Sequence, residues 1–153
     1  MKTRQGAGST GGPGMSITTY LGVVHPWLCD SMGHLNVRHY VGMFDDANTQ
    51  FLASLGWDSM TGRSSGLGWA DVRGEIDYLT EVVAGALVQI TSSTAAVGNK
   101  SLTVDSEMRC RSSGDIHARM RSVMAHFDLR ARRAVRLPTG LRARAVAGNA
   151  SDD

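Results

Sequence analysis

The feature that most constrains the fold is one long helical pattern followed by segments with a period of two. From Asn36 to Gly56, apolar side chains recur every three or four positions, the spacing of one face of an α-helix. Asn36 is a good N-terminal cap, and Gly56 stands where a C-terminal cap belongs. The helix interior, about 19 residues at 1.5 Å per residue, would be roughly 28 Å long. A helix of that length in a small chain must be central and covered by other elements.

The remaining periodic segments have the pattern of β-strands. They are rich in β-branched and alternating apolar residues, and a Ser-Ser-Gly turn joins the last two. In the second segment the alternation places Val72, Ile76 and Tyr78 on the inner face. We therefore predict an α+β domain in which a long central helix is wrapped by an antiparallel sheet of about five strands. The predicted strands cover residues 18–25, 69–79, 86–97, 101–111 and 115–128.

The length of 153 residues, with 42% hydrophobic residues, fits one domain with one core. Residues 1–15 are rich in Gly, Ser and Thr without apolar periodicity, so we expect a flexible leader. We place the domain at residues 16–145 and expect a disordered tail over 146–153. The composition of Ser59 to Leu67 is typical of a mobile loop.

Composition also excludes several classes of function. Two cysteines are too few for a disulfide scaffold, so a reducing, cytoplasmic location is the default. No apolar run approaches the ~20 residues needed to cross a bilayer, so we expect no membrane partner. The net charge is only +2, and the arginines of the last quarter lack interleaved aromatic residues, so we expect no nucleic acid. His34 and His39 are five apart, on different helical faces, so we expect no metal.

The densest set of functional groups lies between the first strand and the helix. Asp30 stands just ahead of the helix start, where the N–H groups of the first turn carry partial positive charge. Those N–H groups can polarise a carbonyl, and a carboxylate beside them can attack the carbon or deprotonate a water. Gly33 permits close approach of the backbone to a ligand, and Asn36 caps the helix. The residue pattern thus predicts acyl chemistry at this loop.

The string CDSMGHLNVRHY, which follows a strand and opens a long helix ending in LG, resembles the D-x-x-G-H-x-N-x-x-x-Y signature of the 4-hydroxybenzoyl-CoA thioesterase family. The segment RGEIDYLTEVVAG and the closing strands follow the same order, so the resemblance covers about residues 17–144. It implies the hotdog fold, acyl-CoA thioesterase activity on a short, polar or aromatic acyl group, and no cofactor, since coenzyme A is part of the substrate. It also implies a homodimer or homotetramer, with two sheets pairing edge to edge.

Carried over position by position, the resemblance assigns roles to residues of this chain. Asp30 falls on the catalytic carboxylate, as nucleophile or general base, and Val37 on the position whose backbone N–H meets the thioester carbonyl. Lysine or arginine is expected to meet the CoA phosphates. We predict that the acyl group is bound by Gly33, His34, Asn36, Tyr40 and Trp69, and that CoA is bound by Lys100, Ser101, Arg109 and Arg111.

Two other functions fit the same fold. An acyl-CoA hydratase or dehydratase needs a histidine with an acidic partner for proton transfer, and His34-Leu35-Asn36 does not match the hydratase pattern. A noncatalytic acyl-CoA-binding protein would gain nothing from a carboxylate beside a thioester carbonyl. Release of free thiol separates the thioesterase from both.

Overall fold

Five long antiparallel strands form one sheet in a computed structural model that describes residues 15–149. The order across the sheet is β1-β3-β4-β5-β2, and the short β6 pairs with β5. The predicted α+β architecture with five antiparallel strands is confirmed. The strands are β1 Ile17–Val23, β2 Leu67–Tyr78, β3 Leu87–Val97, β4 Ser101–Cys110, β5 Ile116–Asp128 and β6 Arg133–Ala134.

Helix α1, Val37–Ser54, lies on one face of this sheet and contacts β1, β3 and β4. Asn36 caps it as predicted, because its side-chain oxygen accepts a hydrogen bond from the Arg38 N–H at 3.2 Å. Phe44 and Ala47 are fully buried against the sheet. On the sheet side, alternate residues of β4 from Leu102 to Met108 are buried, so the strict alternation predicted there is confirmed.

In β2 the alternation of inward-facing and outward-facing side chains reverses in the middle of the strand. The register shifts between Asp71 and Arg73, and Val72 lies at this bulge with 60% of its surface exposed. The predicted inward position of Val72 is therefore wrong, because a bulge inserts one residue and reverses which side chains face the core. Ile76, beyond the bulge, is half-buried against the core, as the pattern predicted.

The segment predicted as a mobile loop, Ser59 to Leu67, forms helix α2 instead, over Ser59–Ser65. Asp58 caps its start through a hydrogen bond from the Met60 N–H, and Gly66 ends it with φ +77°. A polar segment with good caps at both ends forms a short helix once a neighbouring element covers it. Trp57 supplies that cover, since its ring lies against Gly62.

The C-terminal segment folds back as helix α3, Thr139–Asn149, against β3. Leu141 and Ala145, four residues apart on one helical face, are buried in the core around Phe51 and Leu102. The helix runs past residue 145, where we expected the domain to end; residues 150–153 lie outside the described part. The predicted leader also lies outside it except for Met15, whose N–H donates to the Gly148 carbonyl at 2.8 Å.

Between residues 15 and 149, no helix combines the length and the apolar character needed to cross a bilayer.

Candidate active site

Asp30 lies in a tight loop between a short 3-10 helix, Pro26–Leu28, and the start of α1. Its carboxylate oxygen Oδ1 accepts backbone hydrogen bonds from Met32 at 2.8 Å and His34 at 3.2 Å. The backbone closes the same loop, because the Asp30 N–H donates to the His34 carbonyl at 2.8 Å and its carbonyl accepts from Gly33 at 3.0 Å. Both backbone donors to the side chain reach Oδ1, so the loop fixes the carboxylate, and Oδ2 accepts neither of these hydrogen bonds.

Gly33 is required by the shape of this loop. Its φ is +79°, a left-handed conformation that a residue with a Cβ atom adopts only at a cost. The loop is also tied to its neighbours, since Leu35 N–H donates to the Val82 carbonyl at 2.7 Å and Asn36 N–H to the Leu28 carbonyl at 2.9 Å. The carboxylate therefore sits on a backbone held at several points.

The N-terminus of α1 follows the loop directly. Val37 is its first residue, and the N–H groups of a first helical turn have no intrahelical acceptor. The Asn36 side-chain oxygen accepts the hydrogen bond of the Arg38 N–H. The Val37 N–H is therefore left as a donor for a ligand oxygen. The side chain of Val37 is 60% exposed.

An open groove borders this helix start. It is lined by His34, Leu35, Val37, Tyr40, Tyr78, Leu79, Thr80 and Glu81. Tyr40 and Tyr78 meet edge to face, with ring centroids 5.0 Å apart and an interplanar angle of 87°. Burial, then the neighbouring Tyr78 and Glu81, raise the pKa of the Tyr40 phenol above its ordinary value, so the phenol is neutral across the physiological range.

The structure thus brings together six of the residues chosen from the sequence. Asp30, Gly33, His34, Asn36, Val37 and Tyr40 all lie in the loop or the first turn of α1, and three of them line the groove. They form a compact unit with a fixed carboxylate, a free helix N-terminus and an adjoining groove.

Trp69 lies elsewhere in the protomer. It packs edge to face with Trp57 and at a tilt against His126, and it lies against the core around Phe51 and Leu102. Nine positions of β2 separate Trp69 from Tyr78, about 30 Å at ~3.3 Å per residue. Within one protomer Trp69 therefore does not reach the groove.

The four predicted CoA contacts are divided between the two ends of β4. Arg109 and Arg111 lie at the end near the Asp30 loop, because Arg111 N–H donates to Leu87 beside the end of β1. Lys100 and Ser101 lie at the other end, beside Leu137 and α3. Lys100 and Arg109 are nine positions apart, about 30 Å along the strand. The two pairs therefore do not form one site within a protomer.

Besides Leu35, which lies inside the motif itself, sequence reasoning missed four residues of the groove, Tyr78, Leu79, Thr80 and Glu81. They follow the Asp30 motif by almost fifty positions, and they reach it because β2 ends beside the first turn of α1. The string Asp-Tyr-Leu-Thr-Glu at the end of a predicted strand gives no signal of this proximity without the sheet order.

No group of three or more His, Cys, Asp or Glu side chains in the described part of the chain could hold a metal ion. The arrangement at Asp30 offers a carboxylate and a backbone donor, which are the elements of acyl transfer by a nucleophile or a general base.

Comparison with known families gives one match over most of the chain. Residues 24–145 match the model of the thioesterase-like superfamily. A betainyl-CoA thioesterase from Pseudomonas aeruginosa is 27% identical over 113 residues, which cover 74% of this chain and 71% of that protein.

Solved structures share the fold. A 1,4-dihydroxy-2-naphthoyl-CoA thioesterase from Synechocystis superposes with a TM-score of 0.77 at 18% identity, covering 86% of this chain and 96% of the other. A hypothetical protein from Staphylococcus aureus, solved in complex with CoA, gives a TM-score of 0.79 at 16% identity and covers 88% and 85%. The chain belongs to the thioesterase-like superfamily and is a thioester hydrolase with the hotdog fold.

Proposed function

We propose that the substrate is an acyl-CoA and that the thioester is cleaved at the Asp30 loop. The observation that carries this is the placement of a fixed carboxylate directly before a helix whose first N–H is open to a ligand. The CoA-bound state of the Staphylococcus aureus structure supports CoA as the carrier of the thioester. The name of the Pseudomonas relative supports the short or polar alternative for the acyl group.

In the proposed reaction the thioester oxygen accepts a hydrogen bond from the Val37 N–H, which stabilises the negative charge that develops on it. Asp30, through Oδ2, either attacks the carbonyl carbon or removes a proton from an attacking water. The carbon–sulfur bond then breaks, CoA leaves as a thiolate that takes up a proton, and the acid is released. An anhydride formed with Asp30 would be hydrolysed by a second water.

The remaining loop residues hold this geometry or contact the acyl group. Gly33 and Asn36 shape the loop and the helix start, and His34 and Tyr40 line the groove in which we place the acyl group. Arg109 and Arg111 are the better candidates for CoA phosphates in the same protomer, because they lie at the same end of the sheet. Arg109 already forms an ion pair with Glu107 at 2.5 Å, so the guanidinium of Arg111 is the more available of the two for a CoA phosphate.

We also propose that the protein works as a homodimer formed through β2. Among the described residues, β2 is a 12-residue edge strand that pairs with β5 on one side only. A long edge strand invites pairing with another chain. Antiparallel pairing of two β2 strands would bring Trp69 of a second copy toward the groove at Tyr78, and Lys100 and Ser101 of that copy would approach the same site. A homotetramer would follow if two such dimers associate.

Val72→Arg tests the dimer, because it puts a charge at the exposed bulge of β2. Light scattering after size exclusion should give the mass of a dimer or tetramer for the wild type and a monomer mass for the variant. Leu21→Arg, on the exposed face of the opposite edge strand β1, is the matched control and should keep the wild-type mass. A wild type that is monomeric and active at high concentration would refute the proposed dimer.

We propose that the reaction needs no dissociable cofactor. We place the protein in the cytoplasm, where CoA thioesters and reduced cysteines coexist.

The activity itself is tested with a panel of short, polar, aromatic and long acyl-CoAs that includes an enoyl-CoA, assayed for free thiol in the presence of EDTA. We expect release of thiol from at least one short, polar or aromatic member. Loss of enoyl absorbance without thiol would identify a hydratase, and binding without either change would identify an acyl-CoA-binding protein.

A further inference from the structure

One side of the groove is formed by residues 79–81, which we call the groove wall. These residues follow β2 directly and belong to no helix or strand. A segment without a regular ladder of hydrogen bonds keeps one position only where individual contacts hold it. The position of the groove wall therefore depends on the few hydrogen bonds that its backbone makes.

His117 makes three hydrogen bonds to the groove wall. Its backbone carbonyl accepts from the N–H of Leu79 at 2.8 Å and from the N–H of Thr80 at 3.2 Å. Its imidazole nitrogen Nδ1 lies 3.2 Å from the Thr80 carbonyl oxygen. A carbonyl oxygen only accepts hydrogen bonds, so Nδ1 carries the ring proton and is the donor. The carbonyl and the imidazole of one residue thus hold two consecutive residues of the groove wall.

A bulge in β5 puts His117 in this position. The register between β4 and β5 shifts there, because Met108 pairs with Ala118 whereas Arg109 pairs with Ile116. His117 is therefore left without a partner in β4. Bulges re-aim side chains and are common beside functional sites. Only 6% of the His117 surface is exposed, so the strand buries an imidazole beside the groove wall.

The other ring nitrogen of His117, Nε2, is buried and has no hydrogen-bond partner among residues 15–149. Burial of a polar atom without a partner is unfavourable. An apolar side chain of similar volume would fill the same site without that cost. The imidazole therefore contributes something that packing does not, which is the hydrogen bond from Nδ1 to the groove wall.

The groove wall is also tied to the Asp30 loop at its other end. Val82, the next residue in the chain, is fully buried, and its carbonyl accepts from the Leu35 N–H at 2.7 Å. The Asp30 carboxylate has its own backbone hydrogen bonds within the loop. Removal of the His117 contact should therefore release the groove wall and leave the carboxylate in place.

We infer that His117 is a positioning residue, which fixes the groove wall through Thr80 and so determines how tightly the acyl group is bound. The inference rests on the proposed function, because that function places the acyl group in this groove. His117 acts on neither the thioester carbonyl nor the Asp30 carboxylate. Its loss should weaken binding of the acyl group and leave the chemical step unchanged.

The test compares three substitutions of this one residue. His117→Leu removes the donor and fills the site, His117→Asn places an N–H close to the position of Nδ1, and His117→Gln places one close to that of Nε2. The substrate is the best panel member larger than acetyl-CoA. We expect His117→Leu and His117→Gln to raise KM about tenfold and to keep kcat within about twofold, the scale of one lost buried hydrogen bond. His117→Asn should keep KM within about threefold, because the donor is restored.

Three further measurements separate this role from a general loss of stability. The inhibition constant of free CoA, which has no acyl group, should stay within about twofold in every variant. Ser92→Ala removes a buried hydroxyl that is hydrogen-bonded to Thr19 and Ser106, and this matched control should keep the wild-type KM. Proton–nitrogen correlation spectra of the wild type should show the Nδ1–H tautomer of His117, which is a readout independent of activity.

A folded His117→Leu variant with the wild-type KM would overturn the inference while the thioesterase stands. An equal rise of KM in His117→Asn and His117→Leu, a similar rise in Ser92→Ala, or the Nε2–H tautomer would overturn it too. If His117→Leu does not fold, the comparison of His117→Asn with His117→Gln gives the same decision. Hydrolysis of acetyl-CoA and of no larger panel member would also overturn the inference, and no hydrolysis of any panel member would overturn the proposed function itself.

Discussion

Asp30→Asn should lower kcat for thiol release by at least ~100-fold, the scale of removing a positioned nucleophile or base. Asparagine keeps a side-chain oxygen that can accept the backbone hydrogen bonds of Met32 and His34, so the loop should retain its shape. The amide, however, neither attacks a thioester carbonyl nor accepts a proton from water at neutral pH. The measurement is thiol release from the best substrate of the panel, under saturating conditions.

The matched control is Asp46→Asn, which makes the same change of charge at an exposed position in the middle of α1. It should keep kcat within about twofold of the wild type, since surface substitutions away from a site have small effects. Thermal unfolding of both variants checks that the fold is intact. If Asp30→Asn is folded and cleaves at the wild-type rate, the reaction stands and the assignment of Asp30 is wrong.

Phe44→Ala should destabilise the protein by about 3–5 kcal/mol, the usual cost of emptying a fully buried aromatic site. Phe44 has no exposed surface and lies in the core cluster with Ile90 and Met108, between α1 and the sheet. Since single domains are stable by only ~5–15 kcal/mol, the variant would lose a large part of its stability. Urea unfolding measures the change.

Val41→Ala, three residues earlier on the exposed side of the same helix, is the control and should cost about 0.5 kcal/mol or less. A loss below about 1 kcal/mol for Phe44→Ala would mean that α1 does not depend on this contact with the sheet. The position of α1 matters for function, because its first turn carries the Val37 N–H.

Local patterns predicted the helices and strands of this protein well where the apolar side chains follow a single spacing, either that of a helix or that of a strand. The spacing of apolar residues after Asn36 predicted a helix to within two residues, because the side chains that recur every three or four positions are those that face the sheet. The alternation in residues 101–111 predicted β4 for the same reason. The patterns failed at Val72, where a bulge reverses which side chains face the core, and at residues 59–65, whose helix depends on cover by Trp57. They failed again at residues 146–149, which we expected in a disordered tail and which belong to a helix that packs on β3.

The sequence by itself determined the helix, the strands, and the loop in which Asp30, Gly33, His34 and Asn36 meet the start of α1. These residues are close in the chain, and their hydrogen bonds are local. Only the tertiary structure decided what faces that loop. Sheet order brings Tyr78 and Glu81 to the groove, and the length of β2 and β4 carries Trp69 and Lys100 to the far end of the protomer. Contacts between distant segments depend on strand order and register, which a local pattern of side chains does not encode.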